Sequence, residues 1–133
     1  MARVFIASDS LPLARSAARA AWSAGHLIVS TWHSDGAPHT EDAQTWGFGA
    51  IRATQEIEGA NVLLLVEAGT NADGGARYWL TGDAVRAMCR VVVFGHHSDE
   101  NAMLRHEHHE RVADLPALLA LLATVEDRNA SKH

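Results

Sequence analysis

Four short apolar runs alternate with four stretches of helical periodicity along the chain. Arg3–Ala7 (RVFIA) is β-rich and short, which predicts a buried strand. Ser10 is a good N-cap and Pro12 is tolerated in a first turn, so a helix is predicted over Leu11–Ala24. Its apolar stripe reads Leu13, Ala17, Ala20, Ala21 and Ala24, with Arg15 and Arg19 off it, and Gly25 suits the left-handed residue after a helix end. His26–Thr31 (HLIVST) is the second predicted strand. Asp35-Gly36 and Pro38 carry turn chemistry. Thr40 then caps a helix that runs to about Glu58. Glu41 and Asp42 complement its dipole, Gly47 and Gly49 weaken its first half, and Gly59 stops it. Asn61–Gly69 (NVLLLVEAG) is apolar without alternation, the mark of a central parallel strand buried on both faces. A Gly-rich turn within Thr70–Ala84 (TNADGGARYWLTGDA) opens into a helix ending near Met88. Arg90–Gly95 (RVVVFG) is another buried strand. A long loop follows, with a short edge strand near Arg111–Ala113, and LPALLALLATV makes a last amphipathic helix.

Strands alternating with helices predict a parallel sheet covered on both faces, with ligands bound beyond the C-terminal ends of the strands. That edge collects Ser8-Asp9, Trp32-His33, Glu67 to Gly75, and Gly95 onward. The 133 residues suffice for one domain, read as 1–125, with a polar tail over 126–133. The formal net charge is −5 and no Lys/Arg cluster stands out, which argues against a nucleic-acid polymer as partner. No apolar run approaches the ~20 residues that span a membrane, and nothing resembles a signal peptide, so the expected location is cytoplasmic. The single cysteine, Cys89, excludes an intrachain disulfide and reads as a small core residue.

The turn at Asp73-Gly74-Gly75 is neither a Walker loop, since no Gly-Lys-Ser/Thr follows, nor a dinucleotide fingerprint, since G-x-G-x-x-G is absent. His96, His97, His106, His108 and His109 crowd one region, and zinc or nickel favours imidazole. A solvated loop of alternating charge is the plainer reading of that segment, and no metal site is assigned.

The order and spacing of four segments are more specific. VFIAS, EIEGANVLLLV, GGARYWLTGDA and RVVVFG followed by ENAML together resemble the nucleoside 2-deoxyribosyltransferase family, which includes the deoxynucleoside monophosphate N-glycosidases. The resemblance covers nearly the whole chain. It implies a flavodoxin-like (Rossmann-like) parallel α/β sheet of four to five strands with helices on both faces. It also implies a nucleoside or nucleotide ligand, no cofactor, and a homodimer or higher homo-oligomer with shared sites. The family cleaves an N-glycosidic bond by attack of a glutamate on the anomeric carbon, and a close carboxylate suits such a cation-like sugar. Matched to that pattern, Asn101 and Met103 would contact substrate, with Ser8, Asp9, Gly74 and Gly75 near sugar or phosphate. Trp32 and Trp79 are placed to stack on a base, as Trp46 also is by residue type.

This chain departs from the family at its acids. Counting back from Gly82 and Ala84, the nucleophile position falls on Leu80; counting forward from Asp73, it falls on Trp79. The aspartate of the strand-entry pattern is Asn61, and an acid four residues before Ile57 would be Ala53. The resulting expectation is a nucleotide-recognising protein with a diverged site. The alternatives are an N-glycosidase or transferase with a relocated carboxylate, Asp83 or Asp73, and an oligomeric interaction module without a small ligand.

Overall fold

The structure, a computed structural model, describes residues 1–8, 10–34, 43–68, 84–96 and 110–125, with backbone alone for 43–50, 67, 68 and 96. Five strands form one parallel sheet: β1 (Arg3–Ser8), β2 (Leu27–Ile28), β3 (Val62–Ala68), β4 (Arg90–His96) and β5 (Glu110–Val112). Their spatial order is β2-β1-β3-β4-β5. The helices are α1 (Leu11–Ser23), α2 (Ala43–Glu58) and α3 (Leu115–Ala123), and residues 84–86 carry the end of a further helical segment. This is the parallel sheet expected from the alternation of runs, in the flavodoxin-like order that the resemblance implies.

Strand residues alternate between two apolar layers because successive side chains leave opposite faces of a sheet. Val4, Ile6, Val62, Leu64, Val66 and Val92 join Ala14, Ala17 and Ala21 of α1 and Leu118 and Leu122 of α3 on one face. Phe5, Ala7, Leu63, Leu65, Val91 and Val93 join Ile57 of α2, Ala84 and Cys89 on the other. The non-alternating apolar run of β3 is explained by this double burial. Cys89 is buried as expected, its thiol donating to the Ala60 and Ile57 carbonyls at 3.3 and 3.4 Å.

The start of α1 is as the sequence predicts, with the Ser10 hydroxyl accepting from the Leu13 amide. At its end Gly25 takes φ +94°, the Gly25 amide donates to the Trp22 carbonyl and the His26 amide to the Ala21 carbonyl. Those two bonds make a Schellman closure, which needs a left-handed residue at Gly25. The stripe of α1 is corrected: Ala14, Ala17 and Ala21 face the sheet, whereas Leu13 is 41% exposed and Ala24 lies outside. Small alanines let the helix axis approach the strands, and the buried face turns with them. Met88 also holds a positive φ, 65°, after residues 84–86, although it carries a side chain that is 76% exposed. Met88→Gly is therefore expected to raise stability by about 0.5–1 kcal/mol, because a strained left-handed residue is relieved and no packing is lost. A lower urea midpoint for that variant would contradict this.

The second strand is shorter than expected. A strand over His26–Thr31 is predicted, but only Leu27–Ile28 pairs as strand. The reason is that side chains take over the ladder on that edge of β1. His26 Nδ1 accepts from the Ala2 amide at 3.0 Å, the Ser30 hydroxyl accepts from the Ile6 amide at 3.0 Å, and Trp32 Nε1 donates to the Ile6 carbonyl at 2.6 Å. These backbone groups of Ala2 and Ile6 are satisfied without further strand. The predicted helix from Thr40 is described from Ala43, and its expected cap and acidic first turn lie outside the described residues.

Candidate functional site

The strand order reverses direction between β1 and β3, because the chain steps from β1 outward to β2 and then returns to the far side of β1. In open α/β sheets the crevice at such a switch point, beyond the C-terminal strand ends, receives ligands. The register sets Ser8 beside Val66, Val66 beside Phe94, and Ala68 beside His96. Neighbouring strands lie about 4.8 Å apart, so the ends of β1, β3 and β4 fall within roughly 10 Å of one another across the sheet.

Of the sequence-predicted site residues, Ser8 and Trp32 are described. Asp9, Asp73, Gly74, Gly75, Trp79, Leu80, Asp83, Asn101 and Met103 lie outside the described residues, as does most of the His-rich segment. Their attachment points are nonetheless set by connectivity. Asp9 follows β1 directly, the segment holding 73–83 leaves the end of β3, and the segment holding 101 and 103 leaves the end of β4.

Ser8 is half-buried and its hydroxyl is already engaged. It donates to the Val66 carbonyl at 2.7 Å and accepts from the Ser10 amide at 3.0 Å, tying β1 to β3 and to the start of α1. Among the described residues these two bonds leave one acceptor lone pair of the hydroxyl unspent.

Trp32 stands on the other side of β1 and packs against both apolar layers. Its ring meets that of His33 edge-on, with centroids 5.3 Å apart and an interplanar angle of 89°. His33 is buried; its ring Nε2 lies 2.7 Å from the Ser30 hydroxyl, and its carbonyl accepts from Arg15 Nε at 2.8 Å. Thr31 is held from α2, its hydroxyl and amide donating to the Glu56 carboxylate at 3.0–3.2 Å. The turn 30–34 is thus clamped by β1, α1 and α2 together. Ser30 was not legible as a site residue, because it closes an apolar run and reads as the tail of a strand.

Desolvation, then the Arg15 charge, holds the His33 pKa below the ordinary 6.5. Desolvation, then the N-terminal ammonium, does the same for His26. Burial raises the Glu56 carboxyl, against the opposing pull of its Thr31 hydrogen bonds and of Arg52. The signs follow by linkage. A lowered histidine pKa favours protonation of the unfolded chain, so that stability is present above 6.5 and lost as pH falls through the folded values. Glu56 acts in the opposite sense, contributing below its unfolded value and losing that contribution as pH rises through the folded one. Between pH 7.5 and 5.5 the urea midpoint is expected to fall through the histidines. His26→Asn, which keeps an acceptor for the Ala2 amide and cannot titrate, is expected to flatten that slope; an unchanged slope would exclude His26 as its source.

Asn61, one of the departures from the family's acids, lies away from the ligand edge. It precedes β3, at the N-terminal edge of the sheet, roughly 20 Å along the strand from the ligand edge. Its side-chain oxygen accepts from the Arg3 amide at 2.9 Å, its own amide donates to the Arg3 carbonyl, and its carbonyl accepts from the Arg90 amide. It locks three strands together. Ala53 packs against the layer beneath α2. Among the described residues no group of three or more His, Cys, Asp or Glu could hold a metal, and no helix is long and apolar enough to cross a membrane.

The chain is therefore a doubly wound α/β protein whose strands β1, β3 and β4 end side by side on one edge of the sheet. Its fold is that of a 2-deoxyribosyltransferase from the psychrotolerant bacterium Bacillus psychrosaccharolyticus, a biocatalyst for the synthesis of nucleosides. The two are 18% identical, the match covers 89% of this chain and 90% of that one, and the TM-score is 0.71. No protein-family model and no curated protein sequence matches the chain.

Proposed function

We propose that the protein recognises a nucleoside or nucleotide at the C-terminal edge of its sheet and lacks the standard glycosyl-transfer nucleophile. The observation that carries the reading is the shared fold, over nine-tenths of both chains, with a 2-deoxyribosyltransferase. Of the residues that match the family pattern, Gly74 and Gly75 follow β3, which borders the switch point, and Asn101 and Met103 follow β4, its neighbour in the sheet. Leu80 or Trp79 stands where the pattern has its glutamate, and neither side chain can attack an anomeric carbon.

The test is chromatographic. The protein is incubated with deoxynucleosides and their 5′-monophosphates, with and without an acceptor base. The expected result is no free or exchanged base, together with a ligand-induced rise in melting temperature; ligand at 100 times its Kd stabilises by about 2.7 kcal/mol. Base release abolished by Asp83→Asn or Asp73→Asn would instead establish an enzyme with a relocated carboxylate. Neither release nor stabilisation would leave an interaction module.

The same reading makes the protein a homodimer or larger homo-oligomer. Support comes from the outer surface of the α1 and α3 layer, where Leu13, Trp22 and Leu115 are exposed and α3 carries no charged side chain. Helices that are apolar all round are ordinarily buried. Sedimentation equilibrium is expected to give a multiple of 14.3 kDa, and a monomer would refute it.

A further inference from the structure

The geometry points to Ser30 and His33 as positioning residues that fix Trp32 as an aromatic wall of the ligand crevice, presented to a nucleobase. This rests on the nucleoside reading above. Ile6 lies two residues before the end of β1, and both of its outward backbone groups are taken by side chains of the 30–33 turn: its amide by Ser30, its carbonyl by Trp32. Trp32 is thereby held at its only polar atom. With the indole N–H spent on the backbone, what the half-buried ring can offer a ligand is its π face, which suits stacking on any planar base rather than hydrogen-bonded selection of one.

The orientation of that face is set by the residue behind it. The edge-on His33 ring prevents the indole from tilting, and the His33 ring cannot swing away because Nε2 is bonded to Ser30. In one neutral tautomer the hydroxyl donates to Nε2; in the other Nε2–H donates to the hydroxyl. Either keeps the 2.7 Å contact. The backbone of His33 is pinned separately by Arg15 of α1, and Glu56 of α2, with Arg52 nearby, is the other charged group that meets this turn among the described residues. A wall held this way loses little freedom when a ligand stacks on it, which is the advantage of preorganisation.

The experiment measures binding of thymidine, deoxyadenosine and their 5′-monophosphates by calorimetry, with thermal melts for every variant. His33→Leu removes the bond to Ser30 and is expected to weaken binding about tenfold, as is Trp32→Leu, in line with the stacking contribution of one aromatic face. His33→Gln retains a group that can bond Ser30 and is expected to bind within about twofold of the wild type. The double variant His33→Leu/Trp32→Leu is expected to bind no worse than Trp32→Leu alone, because His33 acts through the indole. Wild-type affinity in a folded His33→Leu or Trp32→Leu would overturn the proposal, as would full additivity of the pair. If His33→Leu does not fold, His33→Gln and Trp32→Leu still decide: a tenfold loss in the first, or none in the second, overturns it. Failure of the wild type itself to bind any of the four probes would bring down the nucleoside reading, and this inference with it.

Discussion

Leu64→Ala is expected to lower the unfolding free energy by about 2–5 kcal/mol, read as a shift in urea midpoint at unchanged slope. Leu64 sits in the middle of β3, registered between Ile6 of β1 and Val92 of β4, and all three side chains are fully buried on the α1 and α3 face. Truncation there opens a cavity that rigid neighbouring strands cannot close, so the cavity cost adds to the lost transfer energy. The size of the loss matters because a domain has only about 5–15 kcal/mol to lose. Ile51→Ala is the matched control. That isoleucine is exposed on α2, away from the α1 and α3 surface, and its removal is expected to change stability by no more than about 0.5 kcal/mol. Equal losses at the two positions would mean that burial in the sheet does not set the cost.

Asn61→Leu is expected to cost about 1–3 kcal/mol and to leave ligand affinity unchanged. The cost arises because the Arg3 amide loses its acceptor at a part-buried site, where the apolar leucine offers nothing in its place. Affinity is spared because Asn61 stands at the end of β3 remote from the switch point. Asn61→Asp keeps an acceptor oxygen in the same place and is expected to lose less than the leucine variant. The position therefore asks for a side-chain acceptor rather than for an acid as such. A nucleoside Kd that rises in Asn61→Asp while the melting temperature holds would place Asn61 in the site after all.

The alternation of apolar runs and helical stretches was enough to reach a parallel α/β sheet, because burial on both faces leaves β3 no polar positions to alternate with. Ser10 and Gly25 marked the limits of α1 through local hydrogen bonding and backbone handedness, which depend on a few neighbouring residues. The edge of β1 was not legible in the same way. His26, Ser30 and Trp32 read as strand and loop, yet each supplies a hydrogen bond that a longer β2 would have made. Nothing in their spacing reveals a partner some 24 to 26 residues away.

The candidate site divides along the same line. Its chemistry was readable only as a list of residue types attached to strand ends: the Gly-rich turn, the Asn101-Ala-Met103 segment, and Leu80 or Trp79 where the family pattern has a carboxylate. The tertiary structure took one of these departures, Asn61, away from the ligand edge. Asn61 moved to the opposite end of the sheet, because strand direction separates residues that a sequence pattern groups together. Trp32 gained a buried support in Ser30 and His33. By itself the sequence determined the layers and the direction of the chain, since both follow from periodicity and local caps. Which side chains meet at β1 was left to the folded sheet, because parallel strands bring together residues whose contact depends on register and not on distance along the chain.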